Sequence, residues 1–141
     1  MKVTRENTIV LLLCVLPLLA SAEIAVVTSQ DNGVSELSEK EVKKLFKGGL
    51  RELGGEPVTL LDLPRGDDTR EAFYRNLTGR SADEMRAHWS RKVFSSGGRP
   101  PWETSDVEDM KSRAASVGAL GYLPAEEVDD DELQVLFRVP R

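Results

Sequence analysis

The sequence predicts an α/β fold, specifically a three-layer α/β sandwich built on a single sheet. Two observations carry this: β-rich apolar runs at 24–28, 58–63 and 119–123 are interspersed with amphipathic segments, and the connections between them are short. Length is the third, because 141 residues with 40% apolar and 6% aromatic side chains have room for one core of ordinary size.

Residues 1–22 read as a secretory signal. Lys2 and Arg5 precede an apolar run, and Ala20-Ser21-Ala22 has the small-x-small form of a cleavage site. The run is about 12 residues, short of the roughly 20 that a spanning helix needs, so the expectation is a cleaved leader, one domain at 23–141, and no membrane insertion afterwards. Cys14 lies within the leader, and Leu13 before it does not suit a lipoprotein signal. The mature domain then has no cysteine, hence no disulfide and no thiolate metal site, which fits a bacterial periplasm. At 119 residues it is long enough to be stable from its core alone.

Glu23-Ile24-Ala25-Val26-Val27-Thr28 is the first strand, buried in the sheet, and Gln30-Asp31-Asn32-Gly33 turns the chain. Ser38 with Glu41 forms a capping box, with Leu37 and Val42 placed as a hydrophobic staple, for a helix over 39–47 that Gly48-Gly49 ends. A polar connection through Arg51, Glu52, Gly54 and Gly55 leads to the strand at 58–63, and this order predicts a β-α-β unit with parallel pairing and a right-handed crossover.

Pro64 and Gly66 break that strand, and Asp68 with Glu71 reads as a capping box opening a helix that carries Ala72, Phe73 and Leu77 and stops near Gly79. Ser81 with Glu84 starts the next helix, over 82–94, with Met85, Trp89 and Val93 inward. A Gly97-Gly98-Arg99-Pro100-Pro101-Trp102 loop follows, and Ser105 with Glu108 opens a helix presenting Val107, Met110, Ala114 and Val117 before Gly118. Strands at 119–123 and 133–137 close the domain around an acidic turn at Asp129, Asp130 and Asp131.

Charge and motifs exclude several functions. Without the leader there are 17 basic and 23 acidic side chains, net −6 with His88 neutral, and the basic ones are interleaved with acids, which does not suit nucleic acid. His88 is the only histidine, so a conventional zinc site cannot be assembled, and no nucleophile motif or phosphate-cradling glycine loop is present. The expectation is a non-enzymatic protein without cofactor or metal. Asp67 and Asp68, with Asp62 or Asp31, offer oxygen ligands for a divalent cation, against the plainer reading that acids in a first helical turn are caps.

The chain resembles the small, single-lobe members of the periplasmic phosphate-binding-protein-like family, the substrate-binding components of phosphate ABC transporters. The resemblance is carried by Ile24-Ala25-Val26-Val27 with its turn, Leu37-Ser38 opening a helix that ends in Leu45-Phe46-Lys47-Gly48, the strand-loop-helix from Val58, and Gly118-Ala119-Leu120-Gly121-Tyr122. It implies one lobe of a type II periplasmic binding protein fold. It also implies an anion loop in which an arginine is followed by a Gly-Ser-Gly-Thr run at a helix N-terminus. Gly66 and Thr69 match that run, Asp67 and Asp68 stand at the serine and glycine positions, Leu63 stands at the arginine position, and Arg65 is a displaced substitute.

The ligand-binding residues expected on this basis line the carboxyl ends of the strands: Thr28, Ser29 and Gln30, then Arg65, Gly66, Asp67 and Thr69, with Arg99 as an outlying cation. The function expected is a periplasmic solute-binding-protein-like module in phosphate or oxyanion uptake or sensing, its partner a small anion. The alternative is an interaction domain docking a membrane transporter or sensor without a small ligand.

Overall fold

The computed structural model describes residues 23–141, so the leader expected at 1–22, including Cys14, lies outside them. The elements are β1 (Glu23–Ser29), α1 (Glu39–Lys47), β2 (Glu52–Leu53), β3 (Glu56–Pro57), β4 (Thr59–Asp62), α2 (Asp68–Thr78), α3 (Ala82–Ser96), β5 (Trp102–Glu103), α4 (Val107–Ala114), β6 (Ala119–Pro124) and β7 (Leu133–Pro140). Five strands form one sheet in the order β5-β4-β6-β1-β7, and β2 and β3 pair as a separate ribbon.

Strand alternation shows the three layers. Neighbours in a strand point to opposite faces. Tyr122 of β6 packs on Phe46 of α1 and on Phe73 and Tyr74 of α2, with the Phe73 and Tyr122 rings stacked at 3.8 Å. Gly121, next to it, faces Met110 of α4, whose sulfur would lie 2.5 Å from a Cβ added there. The aromatic helices thus cover one face and α4 the other, and a glycine at 121 lets α4 sit close. Among the described residues β1 is buried from Ile24 to Ser29, as an inner strand flanked by β6 and β7 must be.

Strand direction differs from expectation. β4 is parallel to β6 and to β5, but β1 is antiparallel to both β6 and β7. β1 and β4 therefore run in opposite directions and do not touch, and no parallel β-α-β unit joins them. The expected polar connection instead contains the β2–β3 ribbon, turned by Gly54 and Gly55 in the left-handed region, with Leu53 buried. That ribbon delivers the chain to β4 at the end of the sheet where β1 finishes.

Capping signals located the helices well. Ser38 and Ser81 make full capping boxes with Glu41 and Glu84. Two starts move by one residue. Asp67, not Asp68, caps α2, its carboxylate accepting from the Thr69 and Arg70 amides at 2.8 and 3.1 Å. Asp106, not Ser105, caps α4, accepting from the Asp109 amide at 2.7 Å. In both places a carboxylate competes with a neighbouring candidate, and spacing alone does not choose between them. α4 also stops at Ala114, leaving Val117 exposed rather than on its inner face.

Candidate functional site

The expected binding residues fall in three places. Thr28 and Leu60 both pair with Leu120, so Thr28 is level with the start of β4, and Ser29 and Gln30 lie beyond it. Arg65 to Thr69 follow the end of β4. The antiparallel setting of β1 thus puts the two groups at opposite ends of the sheet, and they do not form one site. Polar groups at the first end are engaged locally. The Thr28 hydroxyl donates to the Ala119 carbonyl at 2.7 Å, and the Gln30 amide donates to the Asp130 and Leu133 carbonyls at 2.7 and 2.9 Å. Ser29 is buried, its hydroxyl without a partner in the structure. Asp31 shares this end, away from Asp62, Asp67 and Asp68, so the four carboxylates do not converge on a cation.

At the other end, the loop after β4 and the start of α2 enclose a polar cluster that the sequence reasoning missed. Asp62, the last residue of β4, is buried. The Tyr74 hydroxyl donates to its Oδ2 at 2.7 Å and the Tyr122 hydroxyl donates to its Oδ1. Tyr122 in turn accepts from the Leu63 amide at 3.2 Å. Arg70, 7% exposed, places Nη2 3.5 Å from Asp62 Oδ2, while Nη1 donates to the Leu63 carbonyl at 2.9 Å and to Glu103 Oε2 at 3.3 Å. The Thr104 hydroxyl and amide both donate to the Asp62 carbonyl, at 2.9 and 2.8 Å, which pins β5 to β4. A signal existed: Arg70 shares its helical face with Phe73, Tyr74 and Leu77, all buried, and a cation among them requires a buried carboxylate.

Burial raises the Asp62 carboxyl above its ordinary range, opposed by the Arg70 charge and the two phenols. Burial, then the Asp62 charge, pushes both tyrosine hydroxyls well up, so they remain donors. For Arg70 burial acts to lower the value, but Asp62 and its neighbours outweigh it and the net shift is upward. The sign of the pH effect follows from Asp62. Below its ordinary value of 3.8 both folded and unfolded chains hold the proton and its contribution is full. As pH rises the unfolded chain releases the proton first, and stability is lost up to the raised native value. Urea unfolding across this range is therefore expected to show Asp62→Asn gaining on the wild type as pH increases; a pH-independent difference would refute the shift.

Over this cluster opens a cleft of about 550 Å³, bounded by the end of β4, α3 and the loop before β5. Arg65, Arg70 and Arg86 line it, with Glu103 on the rim. A smaller recess of about 250 Å³ beside it contains Arg65, Gly66, Asp67 and Asp68. Gly66 takes a positive φ of 82°, which a turn of this shape requires. Arg99 lies on an adjoining groove of about 480 Å³, with Arg51, and shares only Trp89 and Pro100 with the main cleft. Trp102 is half exposed, the Arg113 guanidinium stacked 3.7 Å above its ring, and His88 Nε2 lies 2.9 Å from the Lys47 carbonyl. Among the described residues no group of three His, Cys, Asp or Glu is arranged to hold a metal, and no helix is long and apolar enough to cross a membrane.

No family model matches the chain. It is 28% identical over 122 residues to the phosphate-binding protein PstS of Bacillus subtilis, a match covering 80% of this chain and 35% of that protein. Two solved structures share the fold at a TM-score of 0.64. One is a putative phosphate ABC transporter substrate-binding protein with bound phosphate from Clostridium perfringens, 21% identical, covering 82% of this chain and 44% of that one. The other is an ABC-type phosphate transport receptor from Vibrio cholerae, 17% identical, covering 82% and 45%. The chain thus spans about a third to under half the length of these proteins, and its fold is that of the phosphate-binding-protein-like family, on the scale of one lobe of a type II periplasmic binding protein.

Proposed function

We propose that this chain is a non-enzymatic periplasmic solute-binding module, a single domain at 23–141 behind a cleaved leader, that meets an oxyanion at the carboxyl end of β4. The observation that carries this is the arginine-lined cleft beside the Arg65–Thr69 loop, in a fold whose similar structures are phosphate transport receptors. Arg65 supplies charge and Gly66 the turn, whereas Thr69, expected to supply a hydroxyl, is buried and lines neither the cleft nor the recess. Asp67 limits the site, because its carboxylate already takes the Thr69 and Arg70 amides that an anion would use. Wild-type affinity for inorganic phosphate is accordingly weak.

Calorimetry of the purified chain with phosphate, sulfate and calcium tests this reading. Replacing both carboxylates, Asp67→Ser with Asp68→Gly, is expected to tighten phosphate binding at least tenfold, by removing two like charges and leaving a neutral cap at the helix start. No phosphate heat from either protein would remove inorganic phosphate as the ligand. A second reading, docking to a membrane transporter or sensor, is favoured by Phe94, which is 98% exposed at the cleft edge.

A further inference from the structure

The cleft over Asp62 has two unlike walls. Met85, Trp89 and Val93 succeed one another at four-residue intervals on α3, with Phe94 beside them and Pro100 and Pro101 opposite. Met85 and Trp89 are buried, but Val93 is 42% and Phe94 98% exposed, so the apolar surface continues out of the cleft to its rim. A hydrated inorganic ion gains nothing from such a wall.

The second wall holds three guanidiniums, each facing an acid: Arg65 and Arg70 share Glu103, Arg70 also faces Asp62, and Arg86 faces Asp83, so the wall is locally balanced in a domain of net charge −6. Two of these cations, Arg65 and Arg86, are exposed and loosely held, whereas Arg70 is buried and fixed by the Leu63 carbonyl at 2.9 Å. Arg65 is 3.7 Å from Glu103, Arg70 3.5 Å from Asp62 and 3.3 Å from Glu103, and Arg86 4.0 Å from Asp83. The i,i+4 pairs elsewhere, Lys43–Glu39, Arg75–Glu71 and Arg113–Asp109, close to 2.8–3.0 Å. Arg70 is also left with a buried Nε that has no acceptor. Exposed guanidiniums at such distances can turn to a better-placed acceptor, and a carboxylate or phosphate matches their fork.

Together these walls fit a ligand with an anionic head and an apolar body. We propose that the cleft binds a small amphipathic organic anion, a carboxylate or phosphate monoester with an apolar chain, each buried methylene being worth roughly fourfold in affinity. The head lies between Arg65 and Arg86, and the chain runs along Met85, Val93 and Phe94. This rests on the solute-binding reading and specifies its ligand class.

Calorimetry of the purified chain with octanoate and octyl phosphate, each kept below its micelle concentration, is the test. Both are expected to bind saturably at one site, at least thirtyfold tighter than acetate or inorganic phosphate, with octyltrimethylammonium not binding. Arg65→Ala with Arg86→Ala is expected to weaken octanoate at least tenfold, and Phe94→Ser about fivefold; all three side chains are exposed, so the fold is kept. Octanoate no tighter than acetate, or the ammonium binding as well as the carboxylate, would overturn the inference. So would binding to phosphatidylglycerol vesicles without binding to octanoate. Phosphate heat without octanoate heat would overturn it while leaving the oxyanion reading intact. Octanoate heat without phosphate heat would support it and remove inorganic phosphate as the ligand.

Discussion

Arg70→Met is expected to cost about 3–5 kcal/mol of stability, because it leaves the Asp62 carboxylate buried beside two phenols with no cation. Methionine fills much of the volume of the arginine stem, so the loss reports charge rather than a cavity. The guanidinium also joins Leu63 to Glu103, and through them the end of β4 to β5. Urea unfolding measures the cost. The double variant Arg70→Met with Asp62→Leu is expected to recover most of it, since an uncompensated charge is worse than no charge. A single variant as stable as wild type would mean that water already reaches Asp62.

Phe73→Ala carries the second large effect, about 3–5 kcal/mol, from a fully buried ring lost among three others. Its face lies against Tyr122, nearly parallel at 5° between planes, and its edge meets Phe46 at 4.9 Å. The ring thereby positions the phenol that Asp62 and the Leu63 amide share. Phe73→Leu, which keeps much of the volume, is expected to lose less than half as much. Thermal unfolding of the two variants separates the cavity from the stacking; equal losses would assign the whole effect to the aromatic contact.

What was legible in the sequence was local. The boxes at Ser38–Glu41 and Ser81–Glu84 placed two helix starts correctly, since a cap and its reciprocal acid interact within one turn. Three-residue spacing failed at Asp67 and Asp106, where adjacent residues could each cap. Strand direction was not legible, because β1 draws its partners from residues 119–140 and nothing near Ile24 records which way they run. That one misreading placed Thr28, Ser29 and Gln30 at the same end of the sheet as Arg65 and its neighbours, where the antiparallel β1 does not put them. β5 and the β2–β3 ribbon, two residues per strand, have too few positions for any alternation to show. At the site, the Arg65–Thr69 loop was visible from its glycine and acids. The Asp62 cluster was not, because Asp62, Arg70, Tyr74 and Tyr122 meet only in the folded chain.

The pairing of β1 bears on how the domain forms. Ile24 lies opposite Pro124 on one side and Val139 on the other, so this buried strand finds both its neighbours at the far end of the chain. During synthesis 23–29 emerges long before 119–140, and its backbone groups have no sheet to enter until then. Such long-range closure slows folding and prolongs exposure of a sticky strand. The domain therefore cannot close its sheet before β7 is made.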